Sequence, residues 1–467
     1  MSDYTPTIGI ECHVQLKTKT KLFSAVGNDA REAPPNTLVN HICLGMPGAL
    51  PVLNKTAVDL AIKTAKVLNT KAQKFSAFDR KHYFYPDLPK GYQISQLYYP
   101  IIIGGHIDIS VDGQKKQIGI TRAHLEEDAG KNTHPDGKDF SLVDLNRAGT
   151  PLLEIVSEPD MHSSAEAKAY ARELYLLMKY ADVSEADLYY GNMRFDVNVS
   201  VSKTEELGDR TEIKNLNSFR SVERAVEYEV KRQVDLLEDG QQIVQETRGW
   251  DDTKQKTFSQ RSKEDAHDYR YMPDPDIPPV VLEDSYIEQL VAEVGPLPDE
   301  IRSELSSAGL NNSVIETVIE EMHGPMLFDI SKNKDKDLAK IIANYIANDF
   351  NSEDGNTLPS IQQFEQVHDM VKKGELNSTA VKSLLAKSET NEDMKKLAEE
   401  MSLVQISDSS ELEKIVTEVL EANPQAADDV SNGEMKAIGF LIGQVMKQSG
   451  GKANPSLVQK MIKERLG

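Results

Sequence analysis

Several features that would assign a chain to a familiar class are missing from this 467-residue sequence. Cys12 and Cys43 are its only cysteines, which excludes a disulfide framework. No apolar run approaches the ~18 residues that span a bilayer, and the first residues lack the basic-then-apolar layout of a signal peptide. We therefore expect a cytoplasmic protein without a membrane partner.

A glycine-rich phosphate loop is also absent, as is a dinucleotide-binding fingerprint, so any nucleotide must bind without a P-loop. Basic charge is scarce, with 53 Lys and Arg against 75 Asp and Glu and a net charge of −22. This argues against a protein coated with basic surface for nucleic acid. A local basic groove remains compatible with it, because phosphate contacts depend on where the cations lie.

What the chain does contain is typical of a folded protein. Hydrophobic residues make up 39% and charged residues 27% of the sequence, close to the globular average. The length corresponds to about two to four domains of roughly 100–200 residues each.

Short alternating segments dominate the chain before about residue 290. Along residues 8–16, apolar side chains alternate with polar ones that include Glu11 and His13, and the same period of two recurs along residues 193–201. Strand side chains point to opposite faces in turn, so both segments predict half-buried strands with one polar face. The pair Asp112-Gly113 predicts the turn of a β-hairpin.

Two helices interrupt these strands. One begins at Ser163, where Glu166 completes a capping-box pattern, and the other runs from Ser218 to Glu238 and ends before Gly240. The combination predicts an α+β fold, in which helices cover one face of a large, mostly antiparallel sheet.

After a proline-rich segment around residues 273–279, three-four apolar spacing predicts an all-helical region. A polar stretch at 402–410 is interpreted as a linker, and a small helical bundle is expected to follow it. The expected domains are residues 1–293, 294–404 and 405–467. The segment 434–467 holds six Lys or Arg and two Glu, a local charge of +4, for which a solvated helix face and a contact with nucleic acid both stay open.

The polar faces and nearby loops collect side chains suited to a divalent ion. Glu11 and His13 share one strand face, and Asp196, Glu212 and Glu127 would add three more carboxylates. Grouped without a cation, they would raise one another's pKa values and oppose folding. A hard divalent ion accepts such ligands, and one imidazole among carboxylates suits Mg²⁺ or Mn²⁺ better than structural zinc. Solvated strand faces and an exposed acidic turn are the alternative.

Residues 78–96 interleave aromatic and basic side chains, namely Phe78, Arg80, Lys81, Tyr83, Phe84, Tyr85, Lys90 and Tyr92. Such a segment can stack nucleobases and hold phosphates, although a packed loop with a few surface bases explains it equally well. Arg220 and Arg224, near a helix start, either hold phosphates or pair with neighbouring acids.

Seven motifs follow one another between residues 8 and 279: IGIECHVQL, GMPGALPVLN, FDRKHYFYPDLPKGYQISQ, HLEEDAGK, DLNRAGTPLLEIVSEPD, EIKNLNSFRSVERA and DYRYMPDPDIPP. Together they resemble the B subunits of the bacterial aspartyl/glutamyl-tRNA(Asn/Gln) amidotransferases. The tail from LVQISD to the terminus is similar to that family's C-terminal domain, whereas the helical middle matches less distinctly.

The resemblance implies an N-terminal cradle related to glutamine synthetase that binds ATP and Mg²⁺. It implies that the side-chain carboxylate of Glu mischarged on tRNA(Gln), or of Asp mischarged on tRNA(Asn), is phosphorylated and then amidated by ammonia. It also implies a heterotrimer, in which an amidase A subunit releases ammonia from glutamine and a small C subunit ties A and B together. The helical and tail domains would grip the tRNA.

Carried over residue by residue, the family's metal ligands fall on Glu11, His13, Glu127, Asp196 and Glu212. The resemblance makes Glu127, Glu11 and Lys90 the catalytic candidates, with Lys90 at the mouth of the ammonia channel. Arg194 and Asn198, beside Asp196 in the sequence, are the expected cofactor-binding side chains. Glu126 and Asp128 would support Glu127 or line the ammonia path.

One departure from the family concerns zinc. Many members carry paired cysteines near the N-terminus that hold this metal, whereas residues 22–45 retain only Cys43. Zinc normally takes four protein ligands in a structural site, so we expect no structural zinc.

Two other functions stay open. The chain would be a stand-alone ATP-dependent ligase that amidates a free amino acid, or a non-catalytic tRNA-binding subunit. The helical region and the basic tail favour the role in the amidotransferase over the free-acid ligase, because a small substrate needs no such grip.

Overall fold

The computed structural model describes residues 3–135, 137–262, 268–350, 357–388, 392–405, 409–431, 436–450 and 453–466. The chain divides into two compact units, Met1–Leu297 and Pro298–Gly467. The first unit contains all the strands of the described residues and four helices, and the second contains helices. The α+β class is therefore confirmed, while the finer division into three domains stays a prediction.

The strands of the described residues are β1 (Thr5–Gln15), β2 (Phe75–Ser76), β3 (Asp79–His82), β4 (Tyr92–Ser95), β5 (Ile102–Ile103), β6 (His106–Val111), β7 (Gln114–Glu127), β8 (Lys131–Thr133), β9 (Leu142–Asp144), β10 (Pro151–Ser157), β11 (Met193–Ser202), β12 (Thr211–Leu216), β13 (Glu246–Asp251), β14 (Lys256–Ser262), β15 (Met272–Pro273) and β16 (Val280–Val281).

The helices are α1 (Lys55–Val67), α2 (Ser164–Tyr180), α3 (Phe219–Glu238), α4 (Asp284–Ala292), α5 (Pro298–Ser307), α6 (Asn312–Glu320), α7 (Gly324–Asn333), α8 (Lys336–Asn348), α9 (Ile361–Lys372), α10 (Ser378–Leu385), α11 (Met394–Glu400), α12 (Ser409–Ala422), α13 (Pro424–Ser431), α14 (Lys436–Gln448) and α15 (Pro455–Leu466).

A nine-stranded sheet forms the centre of the first unit. Its strands follow the order β14-β13-β12-β11-β1-β10-β7-β5, and β6 pairs with β7. Among these pairs only β12 and β13 run parallel, so the expected mostly antiparallel sheet is confirmed. The predicted hairpin turn joins β6 to β7, with positive φ angles of 50° at Asp112 and 78° at Gly113, as a two-residue turn of this kind requires.

The alternation along β1 and β11 sorts the two faces of this sheet as expected. On β1 the apolar side chains Ile8, Ile10, Cys12 and Val14 are at most 1% exposed. They share one core with apolar residues of α1, α2 and α3. The helices therefore cover the apolar face, and the polar side chains of β1 and β11 point to the opposite face.

The starts of the two predicted helices follow from their caps. Ser163 Oγ accepts a hydrogen bond of 3.1 Å from Glu166 N, and Ser218 Oγ accepts one of 3.0 Å from Ser221 N. The capping box of α2 is displaced by one residue, because the Glu166 carboxylate accepts its reciprocal hydrogen bond from His162 N at 2.7 Å.

The second unit ends in the expected small bundle, because α12, α13, α14 and α15 share a core that includes Val416, Val430, Leu441 and Ile462. Of the predicted linker 402–410, residues 406–408 lie outside the described residues, and Ser409 already begins α12. Within the described residues, every helix is too short or too polar to cross a bilayer.

Candidate active site

A row of ionisable side chains crosses four strands on the open face of the sheet. His13 on β1 lies opposite Glu154 on β10 and opposite Arg194 on β11. Glu154 in turn lies opposite His124 on β7. Residues directly opposite one another in a sheet point to the same face, so the antiparallel order β7-β10-β1-β11 assembles this row from four distant segments.

A second polar row runs beside the first. Glu11 lies opposite Asp196 on β11, and Asn198 lies opposite Glu212 on β12. Asn198 Nδ2 donates a hydrogen bond of 3.1 Å to Glu11 Oε1. Lys214 Nζ lies 3.1 Å from Asp196 Oδ2 and 2.9 Å from Glu212 Oε1. One face of the sheet therefore brings together four of the five predicted metal ligands: Glu11, His13, Asp196 and Glu212.

The tightest group on this face consists of His13, Glu126 and Glu154. His13 Nε2 lies 3.6 Å from Glu126 Oε1 and 3.5 Å from Glu154 Oε2. One ligand atom from each of the three residues lies within 4.8 Å of the other two, and no further group of this kind occurs in the described part of the chain. His124 Nε2, 3.5 Å from Glu154 Oε2, supports the same carboxylate from the β7 side.

The pKa values show that this group carries an excess of negative charge. Burial favours the neutral imidazole, but Glu154 and Glu126 outweigh it and raise the pKa of His13 from 6.5 to about 9. Burial likewise disfavours the Glu154 carboxylate, yet His124 and His13 lower its pKa below the ordinary 4.5. For Glu11, burial and then the neighbouring carboxylates raise the pKa. At neutral pH a protonated His13 therefore supplies part of the positive charge that the acids need.

The same three side chains fit a divalent cation by their chemistry. They offer one imidazole nitrogen and two carboxylate oxygens, a donor set that Mg²⁺ and Mn²⁺ accept. An imidazole binds a metal only after losing its proton. A cation bound by His13, Glu126 and Glu154 would therefore take the place of the imidazolium charge.

A cavity of about 920 Å³ opens over this face. The sheet lines it with Glu11, His13, Glu154, Glu212 and Lys214. The end of β3, the following turn and the segment 268–270 line it with Lys81, His82, Tyr83, Phe84, Tyr85, Asp268, Tyr269 and Arg270. The acidic floor and the aromatic, basic wall thus belong to one space.

Glu127 lies on the other face. It is the last residue of β7 and shares the parity of Leu125, which is fully buried in the core. Its Oε1 accepts a hydrogen bond from Lys90 Nζ and one of 2.9 Å from Ile94 N. The structure therefore does not bring Glu127 together with the other four predicted ligands, because a strand turns successive side chains to opposite faces. The catalytic roles of Glu127 and Lys90 stay predictions.

Three adjacent acids, two at the end of β7 and one just after it, each have a separate partner. Glu126 lies beside His13, Glu127 beside Lys90, and Asp128 accepts from the Arg194 guanidinium at 3.2 Å and lies 3.2 Å from Arg147 Nε. Arg194 is thus already held by a carboxylate. Its cofactor-binding role and that of Asn198 stay predictions.

The cysteines occupy two different settings. Cys12 is buried in the core of the sheet, and Cys43 lies in the loop before α1. Around Cys43 Sγ, Lys21 Nζ lies at 3.6 Å and Ser24 Oγ at 3.5 Å. Lys21 Nζ also donates to Leu38 O at 2.7 Å, so an ammonium group links these loops. The expectation that no structural zinc binds stays a prediction.

Comparison with known proteins places this chain in a family. Residues 6–288 match the model described as the GatB/GatE catalytic domain, and residues 327–466 match the one described as the GatB domain. The chain is 44% identical over 477 residues to the B subunit of the aspartyl/glutamyl-tRNA(Asn/Gln) amidotransferase of Moorella thermoacetica, and the match covers 99% of this chain and 100% of the relative. The proteins of the same name from Carboxydothermus hydrogenoformans and Brevibacillus brevis are 42% and 43% identical, each over 100% of this chain and 99% of the relative.

The chain belongs to the family of aspartyl/glutamyl-tRNA(Asn/Gln) amidotransferase B subunits. The resemblance read from the seven motifs is therefore confirmed. All the ionisable residues of the open face lie within the part that matches the catalytic domain of this family.

Two members of the row were missed by the sequence analysis, His124 and Glu154. Glu154 stands alone between Leu153 and Ile155 in an apolar strand. A single acid in such an apolar run could have indicated a site residue from the sequence. For β7, extending the period of two through its end would have put Glu126, not Glu127, on the face of His124. No local pattern in the sequence, however, indicates which strands become neighbours in the sheet.

Proposed function

We propose that this chain activates and amidates a tRNA-linked carboxylate. It would use ATP and Mg²⁺ to phosphorylate the side chain of Glu on tRNA(Gln), of Asp on tRNA(Asn), or of both, and then exchange the phosphate for ammonia. The observation that carries the proposal is the group of His13, Glu126 and Glu154, of which His13 and Glu154 line the floor of a cavity of about 920 Å³. The name of the relatives supplies the substrate class.

The chemistry explains why ATP is required. A carboxylate is a poor electrophile, because amidation would have to expel an oxide. Transfer of the γ-phosphoryl group of ATP to the carboxylate oxygen gives an acyl phosphate and ADP. Ammonia then attacks the acyl carbon, inorganic phosphate leaves with the C–O bond electrons, and a proton is lost to give the amide. Phosphoryl transfer of this kind depends mainly on positioning and neutralisation of charge.

The residues of the floor fit that requirement. A divalent cation held by His13, Glu126 and Glu154 would neutralise the charge on phosphate oxygens. The second row, with Glu11, Asp196 and Glu212 around Lys214, keeps an ammonium group beside the same space. We assign Arg194 and Asn198, on the same strand, to the binding of ATP.

The remaining elements concern partners. We propose that ammonia reaches the cavity from an amidase A subunit, which releases it from glutamine, and that a small C subunit completes a heterotrimer. The relatives are named as one subunit of an enzyme, which supports an assembly. Lys90, which pairs with Glu127, is assigned to the mouth of the ammonia path.

The test is an amidation assay with the purified complex. The complex receives ATP, Mg²⁺, glutamine and either Glu-tRNA(Gln) or Asp-tRNA(Asn), and the tRNA-linked amino acid is identified after hydrolysis. We expect amide product with one or both tRNAs, and production of ADP that depends on the mischarged tRNA. Amidation of free glutamate or aspartate at a comparable kcat/KM, retained after deletion of residues 405–467, would favour the stand-alone ligase. Absence of product from every substrate would contradict the proposal.

A further inference from the structure

One aromatic side chain on the cavity wall is far more exposed than its neighbours. Phe84 is 89% exposed and Tyr85 is 56% exposed, although both line the cavity that holds Glu154. A phenylalanine ring left in water costs hydrophobic free energy that a bound partner would recover. Building on the proposed function, we propose that Phe84 is a platform on which the 3′-terminal base of the mischarged tRNA stacks.

The ring of Phe84 has a defined support on one side. It leans on Gly91, where a Cβ atom would come within 3.0 Å of Phe84 Cε1. Gly91 also has a φ of +75°, a conformation that glycine adopts without strain. The segment is closed by a hydrogen bond of 3.2 Å from Tyr83 N to Gly91 O. One side of the ring is therefore backed by the loop, and most of its surface is open to a flat ligand.

The cations on the aromatic wall of the cavity suit a polynucleotide. Lys81 and Arg270 line the same cavity as Phe84. Lys81 Nζ lies 4.9 Å from the centre of the Tyr269 ring, and such cation–π contacts hold an ammonium group over an aromatic surface. Aromatic side chains for bases, set beside cations for phosphates, are the usual composition of single-stranded nucleic-acid sites.

The chemistry of the substrate connects the platform with the floor. In a mischarged tRNA the amino acid is esterified to the terminal ribose, so its side-chain carboxylate and the terminal base belong to one nucleotide unit. When that carboxylate reaches the floor at Glu154, the base remains at the aromatic wall. The strong exposure of Phe84 fits a base whose chain continues into solvent, rather than the adenine of a fully enclosed ATP.

The test uses the assembled complex and a tRNA in which 2-aminopurine replaces the terminal adenine. Stacking on an aromatic ring quenches the fluorescence of this base, and the signal requires no catalysis. We expect quenching with the wild-type complex, its loss in Phe84→Ala, and its return in Phe84→Trp. Tyr189→Ala serves as a matched control, because Tyr189 is also 89% exposed but does not line this cavity.

Steady-state kinetics distinguish the two ligands whose adenine could stack on Phe84, namely the mischarged tRNA and ATP. Loss of one base–aromatic stack should raise KM for the mischarged tRNA about 5- to 150-fold, with KM for ATP and kcat within about twofold of the wild type. A rise confined to KM for ATP would overturn the inference, because the ring would then hold the adenine of ATP. The inference would also be overturned if the Phe84→Ala complex still quenched the 2-aminopurine fluorescence as the wild type does. Failure of the Phe84→Ala variant to assemble into the complex would overturn it as well. A wild-type complex that quenches but makes no amide would contradict the proposed function and leave the platform standing.

Discussion

Glu126 and Glu127 are neighbours in sequence, yet they lie in opposite electrostatic settings. Glu126 belongs to a group with two carboxylates and two imidazoles, in which the pKa of His13 rises to about 9. Glu127 belongs to an ion pair with Lys90, whose side chain is 9% exposed, against 4% for Glu127. The first setting carries excess negative charge, whereas the second is already balanced.

The comparison shows how a buried carboxylate indicates its role. Buried charges need partners, and Glu127 has one in its own chain. The acids around His13 share two imidazoles instead, so a cation from outside would improve their balance of charge. A group that is incomplete without a ligand is a better candidate site than a group that the protein satisfies by itself.

The largest effect is expected at the balanced pair. Lys90→Met leaves the Glu127 carboxylate buried without its cation, and removal of one partner from such a pair costs about 3–5 kcal/mol of unfolding free energy. The double variant Lys90→Met/Glu127→Gln removes both charges and should recover much of the loss. Urea unfolding of the four proteins of this cycle measures the coupling.

The control for this cycle is Lys74→Met. Lys74 lies 2.6 Å from Asp284, but both side chains are about two-thirds exposed, at 66% and 65%. An exposed pair contributes only about 0–1 kcal/mol, so the urea midpoint should change little. If Lys90→Met and Lys74→Met lowered the free energy of unfolding equally, the Lys90–Glu127 pair would not behave as a buried ion pair.

The next largest effect is expected in the unbalanced group. Glu154→Gln preserves shape but removes a carboxylate that contacts both His13 and His124. We expect kcat for amidation to fall about 10²- to 10³-fold, Mn²⁺ affinity to fall with it, and the pKa of His13 to move down towards 6.5. Amidation kinetics, metal titration and NMR titration of His13 measure the three quantities.

The matched control for that substitution is Glu158→Gln, just beyond the end of the same strand. Glu158 is exposed, and its Oε1 accepts a hydrogen bond of 2.8 Å from Thr121. Its kcat should stay within about twofold of wild type. A Glu154→Gln enzyme that is as active as this control would remove the group from the chemistry and favour a non-catalytic tRNA-binding subunit.

The smallest effect is expected at Glu166, a carboxylate at the rim of the protein. Burial alone would raise its pKa, but the hydrogen bonds from Lys116 and His162 N together outweigh burial and lower the pKa below 4.5. A lowered folded-state pKa gives stability that is present above the unfolded value and is lost as pH falls through the folded value. Glu166→Gln should therefore cost about 0.5–1 kcal/mol at neutral pH.

The pH dependence distinguishes this charge effect from a loss of shape. Urea unfolding at a series of pH values should show wild type and Glu166→Gln converging as pH falls below about 4. Glu205→Gln, in an exposed loop, should follow the wild type throughout. A difference that stays constant with pH would mean that the carboxylate charge does not stabilise the start of α2.

Much of the fold could be read from local patterns. The period of two along β1 and β11 identified the polar face, Asp112-Gly113 identified a turn, and Ser163 and Ser218 identified two helix starts. These signals are local, because side-chain direction and capping depend on residues within a few positions of one another. The family was identified from the sequence as well, because its motifs follow one another in a fixed order along the chain.

The candidate site was only partly readable. His13 and Glu11 were predicted together because one strand carries both. Glu154 escaped notice because its importance depends on β10 lying between β1 and β7, a pairing of segments about 30 to 140 residues apart. Glu127 was grouped with the other predicted metal ligands from its motif, without following the alternation of β7 to its last residue, and its role stays a prediction.

By itself, then, the sequence determined the alternation, the turns, the helix starts and the family, since each depends on neighbours along the chain. Only the tertiary structure decided that His13, Glu126 and Glu154 meet in one charged group while Glu127 turns away to Lys90. The physical reason is that hydrogen bonding between distant strands selects which side chains become neighbours, and the pleat of each strand then selects the face on which they meet.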